Sequence, residues 1–129
     1  MRNGQAFLAQ LMNQDTEQLG LEAAIKYEQQ AGRAATRVQK CGYDLSSSGG
    51  GEERHIEVKA TSKSYFTTRW LEEKEQQCAV NDPKFFLYLV TDVTGSQPRV
   101  FEYGRTELGE LFSKVEHHYI YKFRRSDFK

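Results

Sequence analysis

The stretch GYDLSSSGGGEERHIEVKAT, Gly42 to Thr61, constrains this chain more than any other. Two segments of strand-like alternation flank Gly49 to Gly51, and paired glycines suit a two-residue hairpin turn because both central positions take positive φ. A turn on Gly50 and Gly51 sets Gly49 against Glu52, and further from the turn it sets Asp44 against Glu57. Side chains alternate across a strand, so Asp44, Glu57, Lys59 and His55 share one face, while Tyr43, Leu45, Ile56 and Val58 share the other. Lys59 then lies opposite Gly42, which leaves its ammonium room to lean toward the acids.

Directly opposed carboxylates destabilise a sheet unless a cation sits between them. Mg²⁺ prefers oxygen donors, keeps several waters, and is commonly held by one or two carboxylates plus a substrate phosphate. Such a site activates water and neutralises charge at a phosphodiester. A plainer reading stands beside this one. In a chain with 28% charged residues, Glu-x-Lys on a solvent-facing strand is ordinarily a solvated ion-pair ladder. A one-residue slip at the glycines would also put Asp44 and Glu57 on opposite faces.

Composition narrows the partners. Lys plus Arg and Asp plus Glu are 18 each in 129 residues, so there is no global positive field and any anion-binding surface must be local. No apolar run approaches the roughly 18 residues that a membrane span needs, and residues 1–20 lack the pattern of a signal peptide, so a cytoplasmic setting is expected. Cys41 and Cys78 belong to no CxxC or Cys/His cluster, which argues against zinc. The length fits a single domain over 1–129, with a helical segment 1–32 and a peripheral C-terminal segment 104–129.

Apolar spacing predicts two N-terminal helices joined near Asp15 to Gly20, the second stopping at Gly32. ATRVQK reads as a strand before the hairpin. RWLEEKEQQCAV reads as a helix that Thr68 caps, with Trp70 in the core. KFFLYLVTDV has the near-continuous apolar character of a strand buried on both faces, and is expected at the centre of the sheet. RVFEYG reads as a strand, TELGELFSKV as a helix opened by Thr106, and HHYIYKFRRSDFK as a strand or tail. Alternating helices and strands give an α/β (α+β) class with a mixed sheet.

The order Asp44, then Glu57-Val58-Lys59 behind an acid-bearing helix, resembles the PD-(D/E)xK nuclease superfamily, with Gly42-Tyr43-Asp44 standing where that motif has Pro-Asp. Over Leu19 to Val100, the blocks LEAAIKYEQQ, GYDLSSS, RHIEVKAT, YFTTRWLEEKEQQ and FFLYLVTDV look like the NO VEIN C-terminal domain family. The resemblance implies a restriction-endonuclease-like core, with a central mixed four-stranded sheet flanked by helices. It implies divalent-metal-dependent cleavage of nucleic acid, DNA foremost, with Mg²⁺ or Mn²⁺ as cofactor. Carried over by position, Asp44, Glu57 and Val58 are the metal ligands and Lys59 orients the attacking water. A helical acid completes the site, either Glu28 or its rival Glu22; as Glu22 and Glu28 lie about 120° apart around a helix, they do not both face one metal.

Candidate nucleic-acid contacts are Ser46, His55, Thr61, Lys63, Arg69, Arg124 and Arg125. The basic end, where Lys122, Arg124, Arg125 and Lys129 interleave with Tyr121, Phe123 and Phe128, reads equally as a contact strip, a frayed tail or a strand that docks a partner. A homodimer or a larger assembly is compatible with all of this. The competing functional reading is a non-catalytic module that keeps the nuclease fold to bind nucleic acid or protein. A purely structural domain is the third.

Overall fold

A computed structural model describes the backbone of residues 2–40, 42–66, 68–71, 73–115, 118–122 and 128, and the side chains of residues 15–39, 42–66, 75–108 and 128. The chain opens with one helix, α1 (Arg2–Gln30), where two were expected. Gly20 does not break it. A Cβ on Gly20 would lie 2.5 Å from the Ala60 Cβ, so this glycine lets the helix approach a strand closely. The helix ends where expected. Gly32 takes φ 83°, the Gly32 amide donates to Gln29 O at 3.1 Å, and the Arg33 amide donates to Glu28 O at 2.8 Å, a Schellman cap.

Strands β1 (Ala34–Lys40), β2 (Tyr43–Gly49) and β3 (Glu52–Ala60) follow. Gly50 and Gly51 form the turn with φ 60° and 80°, and β2 pairs with β3 from Gly49↔Glu52 to Leu45↔Ile56, the expected register. After β4 (Thr68–Leu71) and α2 (Glu73–Asn81), β5 (Phe85–Thr91) runs parallel to β3, and β6 (Arg99–Tyr103) returns antiparallel to β5. The principal sheet has five strands, in the order β1-β2-β3-β5-β6, rather than four. β3 holds the centre expected for β5, although β5 is buried along nearly its whole length.

The end of the chain gives α3 (Arg105–Leu111), β7 (Phe112–Val115) and β8 (His118–Lys122); β4, β8 and β7 form a small second sheet. Residues 68–71 are therefore strand, and Thr68 is not a helix cap. The expected helix TELGELFSKV stops at Leu111.

The two faces of the large sheet differ. On one, Ala24 of α1 packs with Leu45, Ile56 and Tyr88, joined by Leu21, Ile25, Val58 and Val100. On the other, Phe66, Ala79 of α2 and Leu108 of α3 pack with Phe85, Leu87, Leu89 and Phe128. Leu108 and Phe128 belong to the segment expected to be peripheral. Phe128 is buried, and its ring meets Phe66 and Phe101. Among the described residues no helix is long and apolar enough to cross a membrane.

Candidate active site

In a parallel pair, registered residues point the same way. Glu57 registers with Leu87 and Lys59 with Leu89, so both side chains lie on the α2 face of the sheet. Burial there is nearly complete for Glu57, whose residue exposure is 4%. The Lys59 ammonium lies 3.2 Å from Glu57 Oε2 and 2.9 Å from Glu75 Oε2 of α2. Asp44 joins from β2, accepting a 2.9 Å hydrogen bond at Oδ2 from the Val58 amide. Val58 thus meets the site through its N–H donated to Asp44.

Crowding decides the electrostatics. Burial, and then hydrogen bonding with Glu75 and Asp44, pushes the Glu57 carboxyl far above the ordinary carboxylate range. Burial works against the Lys59 ammonium, but Glu57 and Glu75 outweigh it and raise its pKa. Three carboxyl groups thus converge where the described side chains bring one cation. That is the expected excess of negative charge, enlarged by an acid that the sequence reading did not single out.

Glu75 was hidden in the run EEKEQQ, where several acids share helical composition. Its signal was spacing: Glu75, Gln76 and Ala79 form the buried stripe of α2.

The helical acids of α1 are not brought to this cluster. Glu28 is fully buried on the opposite face of the sheet, bonded to Arg33 at 2.8 and 2.7 Å and to the Tyr88 hydroxyl at 2.8 Å. Arg54 extends the network to Tyr88 at 2.8 Å, Glu102 at 3.1 Å and Glu52 at 2.6 Å. Glu22 is exposed on α1 and accepts from Gln18 at 3.0 Å. Position in the chain suggested a helix-borne ligand; the side of the sheet that α1 covers rules out both residues as partners of Glu57.

His55 lies on the Glu57 face, with Nδ1 2.6 Å from Asp82 Oδ2 and Nε2 3.3 Å from Glu53 Oε1. Its ring stacks on Tyr43 at 4.4 Å between centroids. Tyr43 therefore does not share the apolar side with Leu45. The β2–β3 ladder ends at Leu45↔Ile56, which releases Tyr43 from strict alternation.

Ser46 registers with His55 two residues from Asp44. Thr61 and the exposed Lys63 lie just past β3, where the Lys63 amide donates to Thr61 Oγ1 at 3.2 Å and the Thr61 amide to Val90 O at 2.9 Å. The Arg69 side chain, Cys41, Thr67, His117, Arg124 and Arg125 lie outside the described residues. Cys78, half-buried on α2, is in no disulfide among the described residues.

The donor set fits a hard divalent cation. Asp44 and Glu57 supply the carboxylate oxygens that Mg²⁺ or Mn²⁺ prefers, and a metal between them would offset the burial and the crowding of carboxyls that raise the Glu57 pKa. Among the described residues, no group of three or more His, Cys, Asp and Glu side chains is arranged to hold a metal by itself. Water and substrate oxygens would supply the rest of the shell, as is usual for Mg²⁺.

A search of curated proteins by sequence finds no match. Among solved structures, the chain matches one described as Archaeoglobus fulgidus Hjc, a Holliday junction resolvase from an archaeal hyperthermophile. The TM-score is 0.52 at 18% identity, covering 78% of this chain and 86% of the other. The shared architecture is restriction-endonuclease-like, a mixed sheet flanked by helices. A family model described as protein NO VEIN, C-terminal, matches residues 16–103, more than half of the chain and all of the Asp44, Glu57, Lys59 and Glu75 cluster, so the chain belongs to that family.

Proposed function

We propose that this domain is a divalent-metal-dependent nuclease that hydrolyses phosphodiester bonds in DNA. The observation that carries the reading is the convergence of Asp44, Glu57 and Lys59 on one face of the sheet, with Glu57 buried among carboxyls. The nuclease-like fold is consistent with it.

Asp44 and Glu57 would hold Mg²⁺ or Mn²⁺, which when bound lowers the pKa of water and neutralises charge on the phosphate. The Asp44 carboxylate is aimed by the Val58 amide, so its position is set by the backbone of the strand that carries Glu57. Lys59 would orient the attacking water and stabilise negative charge developing on the phosphate. Glu75 holds the ammonium in place across the gap between α2 and β3. Ser46, in the middle of β2, and Thr61 and Lys63, just past the end of β3, would meet flanking phosphates, and a cytoplasmic setting belongs to the same reading.

Incubation of plasmid and single-stranded DNA with the purified protein and Mg²⁺ or Mn²⁺ tests this. Cleavage by the wild type, abolished in Asp44→Asn and Lys59→Ala while both variants keep their circular dichroism, is the expected result. Undiminished cleavage by both variants would remove this site from the mechanism. The second reading, a binding module without catalysis, is favoured by the way Lys59 already satisfies Glu57 and Glu75. It predicts metal-independent nucleic-acid binding with no cleavage.

A further inference from the structure

A cavity of about 580 Å³ opens beside the acid cluster, lined by Tyr43, His55, Gln77, Cys78, Asn81 and Asp82. Its size falls within the range of small-molecule sites. We propose that it is a nucleobase subsite, taking one base unstacked from a nucleic-acid strand beside the phosphate held at Asp44, Glu57 and Lys59. The proposal rests on the nuclease reading and deepens it.

Two rings supply the platform. Tyr43 and His55 stack in parallel, 4° from coplanar. The imidazole cannot easily turn, because Asp82 holds Nδ1 and Glu53 faces Nε2. A rigid pair of this kind extends into a third ring at small entropic cost, and stacking tolerates any base because every base has a π face. Gln77 and Asn81 are exposed amides, each with a donor and an acceptor, the complement that a base edge needs.

Charge argues for a base here rather than a phosphate. Asp82 and Glu53 are acidic, and both Asp82 oxygens are engaged, Oδ2 with His55 and Oδ1 with the Lys84 amide at 2.9 Å. Glu53 is paired with Lys84 at 2.8 Å. Among the described residues, the lining includes no lysine or arginine to hold an anion, and both Asp82 oxygens are already bonded where a neutral base would sit. Position completes the argument. Tyr43 directly precedes Asp44, and His55 lies two strand residues before Glu57, about 6–7 Å away along β3. That separation suits a base and phosphate of one nucleotide or of neighbours.

The test is equilibrium binding of single-stranded deoxyribo-oligonucleotides in Ca²⁺, with one abasic residue stepped along the strand, to wild type, Tyr43→Ala and Tyr43→Phe. For the wild type, removing the base at one position should weaken binding about tenfold, while other positions matter less. Tyr43→Ala should lose that dependence, and Tyr43→Phe, which keeps the ring, should retain it. A flat abasic profile in the wild type, or full dependence in Tyr43→Ala, overturns the subsite. If the profile is flat while Mg²⁺-dependent cleavage persists, the subsite alone fails. A positional profile without cleavage in any metal would instead fail the nuclease reading and keep the pocket.

Discussion

Lys59 Nζ lies 2.9 Å from Glu75 Oε2 and so joins the central strand to α2 through one ammonium. A residue that holds a catalytic group in place is expected to cost activity when changed, even without touching substrate. Glu75→Gln should lower the cleavage rate roughly 10–100-fold, the usual effect of losing an orienting partner. Measured rates equal to wild type in Glu75→Gln and Glu75→Ala would make Glu75 a bystander.

Glu28 gives the opposite expectation. Its carboxylate is buried against Arg33 on the α1 face, so Glu28→Gln should destabilise the fold by about 3–5 kcal/mol, as breaking a buried pair does. Cleavage per folded molecule should not change. Urea denaturation and a rate normalised to folded protein separate the two; a normal melt with lost cleavage would restore Glu28 to the site.

The same residue predicts a pH dependence. Burial raises the Glu28 pKa, but hydrogen bonds from Arg33 and Tyr88 outweigh it and hold the carboxyl below its ordinary value. The stabilisation is therefore complete above the unfolded value of about 4.3, and is lost as pH falls through the lower folded value. The stability gap between wild type and Glu28→Gln should shrink from neutral to strongly acid pH. A gap that does not vary with pH would refute the linkage.

Gly20 should tolerate no side chain. A Cβ there meets Ala60, so Gly20→Val should cost about 1–3 kcal/mol by overpacking, despite the poor helix propensity of glycine. A melting temperature at or above wild type would show that α1 can lift from β3 freely.

What could be read from sequence divides along physical lines. Local chemistry was legible: Gly50 and Gly51 permit positive φ, which set the hairpin register and the shared face of Glu57 and Lys59. The apolar run of β5 and the glycine stop of α1 were legible for the same reason. Tertiary choices were not. Nothing in LEAAIKYEQQ says which face of the sheet α1 will cover, so Glu28 was assigned to a site from which the whole sheet separates it. Gly20 looks like a breaker until Ala60 is seen beneath it. Glu75 looks like its neighbours until α2 is docked, and Tyr43 follows alternation until the β2–β3 ladder ends before reaching it.

The most direct measurement is isothermal titration of Mn²⁺ into the wild type and Asp44→Asn at neutral pH. The account predicts saturable binding by the wild type, loss of that binding in a folded Asp44→Asn, and Mn²⁺-supported DNA cleavage that follows the same pattern. Mn²⁺ uptake that is absent from the wild type, or unchanged in the variant, would contradict it.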